Sequence, residues 1–557
     1  VSGPRCHCGT ALEHTPGKRP KVYCSEACKK RAKRAIARGE ALPPATGEAA
    51  PSVTKKGRGL GKETTEFRSP LRPAETSAGA NPDAVRDRSA KQRRARRYAG
   101  RRTLWQITSD KACRGCGRTV MDPETGVVFA RTSEGAAIAL GLLKCGRIWF
   151  CPVCSAKIRH GRSEEITRAV VAWLQQGGRA YLVTFTARHT AADRLADLMD
   201  AIQGTRADEE AGIKRRPGAY QRLITGAAWA GDKRRKSNQE GIRGRIGYIG
   251  MIRATEVTVG QGNGWHPHIH AIVFVGGRTE GERGDKRIAG TFDPGESALE
   301  EWEDRWRAVW TRQLAQVDPK FRPSDRCTEP GCTCGGKGHG VDFKELKTER
   351  DAKDLGEYIA KTQDGKAPAL ELARGDLKSG RDGNMTPFEV LGRIGDLMGG
   401  VPEDDAAGHG SLDWLLALWA EYETAVGGRR AIEWTRYLRP LLGLDGGDSE
   451  DDDMDVLFEL DAAYDFREGV QIRERAWHKL TARALDLAVV EAVEGAELQV
   501  DVLGDLVTAA GESRAFVRQL TPDEVTELFD GVLTKLAERR EAAAERRRTE
   551  AVANTQE

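Results

Sequence analysis

The segment Trp265-His266-Pro267-His268-Ile269-His270-Ala271-Ile272-Val273-Phe274-Val275 decides how the chain is read. Its second half is apolar and β-branched, the composition of a strand that runs into a core. Side chains alternate on a strand, so His266, His268 and His270 share one face and Ile269 turns to the other. Several imidazoles on a half-buried face are costly unless something satisfies them, and a divalent cation does so. Upstream, Ile246 to Val259 is again apolar and β-branched, and Gly260-Gln261-Gly262-Asn263-Gly264 is a turn. The two strands therefore read as an antiparallel hairpin, with Glu256 on the facing strand as a further candidate ligand. The plain alternative is a polar strand edge with fortuitous histidines and a solvated Glu256.

Working outward, residues 165–177 have helical spacing, Ala180 to Thr186 is a strand, and Asp193 to Gly204 and 297–316 are helical. A further helix is expected over 349–364. Positions i, i+4 and i+7 share a helix face, which groups Asp354, Tyr358 and Lys361, with Glu357 adjoining the tyrosine. Such a tyrosine is ordinarily a packing residue; beside a histidine metal site it becomes a candidate nucleophile. Beyond residue 384 the pattern turns helical, at 386–398, 411–426, 428–442, 454–465, 471–496 and 521–549. Thr521-Pro522-Asp523-Glu524 is a capping box with proline at the first helical position. The expected fold class is α+β: a core at 165–375 around an antiparallel sheet, then an all-helical C-terminal region at 384–557.

Twelve cysteines punctuate this plan. Close pairs without the apolar core of a secretion signal read as zinc thiolates in a reducing cytoplasm rather than disulfides. Cys6, Cys8, Cys24 and Cys28 define a small module at 1–35, too short to build a core unaided. Cys113, Cys116, Cys151 and Cys154 have the pairing of a zinc ribbon at 105–164, with Cys145 a spare, packed thiol. Four thiolates close a zinc coordination sphere, so this site is expected to be structural. Cys327, Cys332, Cys334 and His339 make a third candidate in an insertion at 327–340.

Charge is as unevenly spread as the cysteines. Residues 1–102 carry 25 Lys and Arg against 9 Asp and Glu, a surplus of 16, which leaves the rest at −11 for a total of +5. A basic front end on an acidic body points to a polyanionic partner. Residues 36–104 read as a basic, flexible linker. No run approaches 18 apolar residues, which argues against a membrane span.

Three motifs now stand in a recognisable order. Tyr181-Leu-Val-Thr-Phe-Thr-Ala-Arg-His189, Trp265-His-Pro-His-Ile-His270 and Glu357-Tyr-Ile-Ala-Lys361 resemble, in turn, the first, metal and nucleophile motifs of HUH endonucleases. The likeness is to the rolling-circle replication initiators (Rep proteins) of Gram-positive and actinomycete plasmids. It covers roughly 105–440, including Gly427-Gly-Arg-Arg-Ala-Ile-Glu-Trp-Thr435.

The resemblance implies an HUH nuclease core in which His268 and His270 bind a catalytic Mg²⁺ or Mn²⁺. It implies that Tyr358 forms a 5′-phosphotyrosine and frees a 3′-OH primer, and that Lys361 stabilises the phosphate. Relatives carry a water-activating Glu four residues before the tyrosine; Asp354 holds that position here and Glu357 lies next to the tyrosine, so the assignment stays open between them. The implied partners are the single-stranded nick region of a plasmid double-strand origin, a host helicase and host replication proteins. The rival within the superfamily is a relaxase or transposase, many of which place the tyrosine before the histidines. The rival outside it is a non-catalytic zinc-ribbon DNA-binding regulator.

Overall fold

Six segments, four of them six residues or longer, build one antiparallel sheet, and the histidine strand lies at its centre. The computed structural model describes residues 82–133, 135–206, 214–231, 240–260, 262–281, 287–327, 336, 338–347, 384–401, 410–444, 457, 466–494 and 497–532, with 534, 535, 538, 541, 542 and 545. The hairpin expected from the sequence is present as β4 (Gly250–Gly260) and β5 (Gly264–Val275), paired along their whole length. Next to β5 lies β3 (Arg179–Thr186), then β8 (Val341–Leu346). On the other side β4 pairs with β9 (Asn384–Met385) and β10 (Ile432–Trp434), giving six strands.

Each face of this sheet has its own core. Ile269, Ala271, Val273 and Val275 of β5 pack with two helices, α4 (Leu195–Gln203) and α5 (Glu296–Val317). Helix α5 commits Leu299, Trp302, Trp306, Trp310 and Leu314 to that contact, a spacing of three and four that makes one apolar stripe. Burial of each such large side chain contributes about 2–3 kcal/mol, and Trp310 Nε1 also donates to Thr186 O at 3.0 Å. On the opposite face, Ile252, Ile272 and Phe274 meet Ile166, Val170 and Trp173 of helix α3 (Pro152–Gln175). Trp173 Nε1 is shared between Arg179 O and Val275 O, both at 3.1 Å. His268 and His270 belong to this second face.

Three differences from the sequence reading have clear physical causes. First, the C-terminal region is not all-helical. Besides helices α6 (Pro387–Met398) and α7 (Leu412–Val426) it contains β10, β11 (Phe466–Ile472) and β12 (Val517–Leu520). Strand β11 buries Val470 and Ile472 in alternation, a period of two too short to register inside a charged stretch. The helix expected over 471–496 is broken into α8 (Glu474–Ala482) and α9 (Asp486–Val493) where Ala484 adopts φ 59°.

Second, β11 and β12 join β1 (Val127–Thr132) and β2 (Ala137–Leu140) in a second antiparallel sheet ordered β12-β11-β1-β2. The cysteine-rich segment and the distant C-terminal segment thus share one core, in which Val127 and Phe129 pack with Val470, Trp477, Val489 and Leu503. Third, part of the expected linker is helical: α1 (Pro82–Ile107) opens on a proline and runs through the arginine cluster. Those arginines are engaged by the C-terminal lobe, Arg94 with Glu494 and both Arg101 and Arg102 with Asp486.

Among the described residues no helix is long and apolar enough to cross a membrane. The capping box at Thr521 is formed: Thr521 N–H donates to Glu524 Oε2 at 2.9 Å, and Glu524 N–H to Thr521 Oγ1 at 3.3 Å.

Candidate metal centre

Register in the central hairpin sets the site. Glu256 of β4 pairs directly with His268 of β5, and His270 lies one pleat further along the same face. Glu256, His268 and His270 each offer a ligand atom, all within 4.8 Å of one another. The Nε2 atoms of both imidazoles converge on Glu256 Oε2, at 3.1 Å for His268 and 3.4 Å for His270. Side-chain exposure rises from 3% at His270 through 10% at Glu256 to 13% at His268, so the cluster opens to solvent on the His268 side.

The next strand orients one ligand. Thr184 of β3 pairs with His270, and its Oγ1 lies 3.0 Å from His270 Nδ1. With Nε2 given to a cation, Nδ1–H donates to the threonine, which selects the tautomer and holds the ring. Two imidazoles and a carboxylate suit a divalent transition metal, Mn²⁺ more than Mg²⁺. The donor set fits a catalytic cation, because three protein ligands leave positions for substrate oxygens.

His266, the third histidine of the motif, stands outside this set. Its ring stacks on His189 at 4.5 Å between centroids with 17° between planes, and lies 5.0 Å from His268. Burial, with the neighbouring imidazoles of His268 and His189, pulls its pKa down to about 3, so it is neutral at physiological pH. His189 arrives there on the loop that follows β3. That loop crosses the hairpin turn so closely that a Cβ at Gly264, where φ is +72°, would meet the backbone of Thr190 and Ala191 at 2.7 Å. Asp193 folds the loop back by accepting from Thr190 N at 2.8 Å and Oγ1 at 2.9 Å.

Sequence reasoning gives neither Thr184 nor His189 an individual role, although both lie in the segment 181–189. A signal exists for Thr184: it shares its strand position with the face that carries His270. Asp354, Glu357, Tyr358 and Lys361 lie outside the described residues, as do Cys6, Cys8, Cys24 and Cys28. In the 327–340 insertion, His339 Nε2 is 3.1 Å from Cys327 Sγ, while Cys332 and Cys334 lie outside the described residues.

The second cluster joins the short helix α2 (Lys111–Gly115), the loop 142–150 and the first turn of α3. The four sulfurs that group within 4.8 Å are those of Cys116, Cys145, Cys151 and Cys154, all buried. Cys145, a spare thiol by its spacing, is in the group. Cys113, a ligand by its spacing, is buried but is not in the group. Spacing along the chain ranks Cys-x2-Cys pairs first, but here the loop 142–150 carries Cys145 into the space between the two pairs.

Comparison with known proteins adds relatives but no template. The chain is 60% identical over 429 residues to "Protein rep" of Streptomyces lividans, covering 75% of this chain and 91% of that protein. It is 58% identical over 450 residues to the "Neomycin resistance protein" of Streptomyces cyanogenus, covering 77% of this chain and 98% of that one. No family model matches, and no solved structure matches.

Proposed function

Since the chain belongs to the family of the Streptomyces lividans Rep protein, we propose that it initiates rolling-circle replication of a plasmid by nicking one strand of the double-strand origin. The single observation that carries this reading is the convergence of Glu256, His268 and His270 on one face of two paired strands. Held there, a Mn²⁺ or Mg²⁺ ion supplies Lewis acidity to the non-bridging oxygens of the scissile phosphate.

Tyr358 is the proposed nucleophile. Its phenol, with an ordinary pKa of about 10, is a weak nucleophile at neutral pH, and that is why the charge that builds on phosphorus must be offset. The phenolic oxygen bonds to phosphorus, the bond to the 3′-oxygen breaks, and the leaving oxygen takes a proton to become the 3′-OH primer. The 5′-phosphotyrosine keeps the energy of the phosphodiester, so the reverse attack by a 3′-OH rejoins strands at termination without ATP. Lys361 is proposed to stabilise the phosphate, and Asp354 or Glu357 to activate the group that attacks at termination. The cysteine sets are proposed to hold structural Zn²⁺, and a host helicase and replication proteins to act on the nicked origin.

The test is nicking of a supercoiled plasmid that carries the cognate origin. EDTA should stop it and Mn²⁺ restore it, and Glu256→Ala, His268→Ala and His270→Ala should each abolish it with origin binding retained. Full nicking by a rigorously metal-free preparation would overturn the reading. A regulator without catalysis would bind the origin and never nick it.

A further inference from the structure

Five cysteines meet around the start of α3, and four of their sulfurs lie within 4.8 Å of one another. Cys116 Sγ lies 3.5 Å from Cys154 Sγ and 3.7 Å from Cys151 Sγ, and Cys145 Sγ lies 3.7 Å from Cys154 Sγ. A tetrahedral centre with zinc–sulfur bonds of about 2.3 Å has edges of about 3.8 Å. We propose that Cys116, Cys145, Cys151 and Cys154 hold one zinc ion, with Cys113 outside its ligand shell, and that Arg101 ties this centre to the C-terminal lobe. The inference rests on the reading of the cysteines as structural metal ligands and narrows it to one ligand set and one charge partner.

The electrostatic surroundings support thiolates rather than thiols. Four thiolates around Zn²⁺ would carry two negative charges, which the buried Arg101 faces; Lys144 and Lys157 lie beside the cluster, and burial lowers the pKa of both, that of Lys144 to about 7. Arg101 interacts with Cys116 and Cys151, the half-buried Lys144 with Cys154 and Cys116, and the half-buried Lys157 with Cys154. Arg101 is itself buried and occupies the knuckle: Gly117, at φ +71°, has no room for a Cβ because the Arg101 guanidinium fills that space. Trp105 Nε1 donates to Cys116 O at 2.9 Å and fixes the same turn. From there Arg101 Nη2 reaches Asp486 at 2.8 Å, a fully buried carboxylate at the start of α9. The metal centre, α1 and the C-terminal lobe are thereby joined through one side chain. Cys113 is buried beside the cluster, with its backbone N–H capped by Asp110 at 2.9 Å, but its sulfur is not among the four that lie within 4.8 Å of one another.

The experiment is metal analysis of the full chain, without DNA, so its outcome is independent of whether the protein nicks. Zinc per chain is measured in the parent, Cys145→Ser and Cys113→Ser. Cys145→Ser should hold one zinc fewer than the parent, and Cys113→Ser the same number. Loss of one zinc from Cys113→Ser overturns the ligand set, and so does a Cys145→Ser variant that keeps the parent's zinc. If Cys145→Ser is insoluble, Cys113→Ser still decides between the two candidate ligands. Iron in place of zinc overturns the metal assignment. For the charge partner, zinc transfer to a chromogenic chelator should speed up about tenfold or more in Arg101→Met. Lys157→Met, which leaves the Asp486 pair intact, should move the rate in the same direction. Unchanged transfer in both variants overturns the electrostatic role.

Discussion

Asp486→Ala removes a carboxylate that is fully buried and bonded to two arginines, Arg101 Nη2 at 2.8 Å and Arg102 Nη1 at 2.7 Å. Arg102 is a quarter exposed and can recover water; Arg101, with 6% of its side chain exposed, cannot. Its guanidinium is left against the Tyr98 ring at 4.4 Å, with the cysteine cluster as its other neighbour. Breaking a buried pair by removing one partner costs about 3–5 kcal/mol, because the stranded charge has lost its compensation. In a cooperative unit of 150–250 residues, about 3 kcal/mol lowers the melting temperature by about 6–12 °C. Differential scanning fluorimetry gives the overall shift, and hydrogen exchange locates it in α1 and the second sheet, which unfold as one unit if the account holds. A double substitution, Arg101→Met with Asp486→Leu, should regain part of the loss, since it removes both members of the buried pair. A melting temperature within about 1 °C of the parent for Asp486→Ala, a cost under about 0.5 kcal/mol, would refute the reasoning.

Other expectations follow from individual side chains and segments. Thr184→Val deprives His270 Nδ1 of its 3.0 Å partner, and Mn²⁺ affinity measured by titration calorimetry should fall about 10- to 100-fold; an unchanged affinity would show that the threonine does not orient the ligand. His266, neutral in the folded protein with a pKa near 3, takes up a proton on unfolding below about 6.5. The unfolded state then binds more protons, so stability of metal-free protein should drop as pH falls from about 6.5 towards 3, and His266→Gln should flatten that decline; a parallel curve for the variant would contradict it. Deleting residues 1–81 should make DNA binding less sensitive to salt, the log–log slope falling by about 0.9 for each phosphate that the shortened chain leaves unneutralised. A deletion that cuts into α1, such as residues 1–98, should also destabilise the C-terminal lobe.

What is legible in the sequence is whatever depends on short-range periodicity. The alternation in 265–275 places three histidines on one face and Ile269 on the other, and Glu256 across the hairpin follows from the Gly/Asn-rich turn. The tryptophan stripe of α5 follows from spacings of three and four. Long-range pairing is not legible: nothing in Phe466-Arg-Glu-Gly-Val-Gln-Ile472 announces a partner more than three hundred residues earlier, in β1. The basic run 91–102 reads as a free arm because its counter-charges, Asp486 and Glu494, are equally distant. Cys145 reads as a spare for a related reason, since spacing along the chain does not show that its sulfur lies within 4.8 Å of those of Cys116, Cys151 and Cys154.

In the proposed reaction Tyr358 becomes covalently joined to DNA while Glu256, His268 and His270 hold the cation. The most direct measurement incubates the full chain and Mn²⁺ with a 5′-extended, single-stranded origin oligonucleotide, digests the product with nuclease and protease, and identifies the modified peptide by mass spectrometry. The account predicts one nucleotide-bearing peptide, containing Glu357-Tyr358-Ile359-Ala360-Lys361, linked through Tyr358. It also predicts no adduct from Tyr358→Phe, although that variant still binds the oligonucleotide. An adduct on any other residue, or one that persists in Tyr358→Phe, would contradict it.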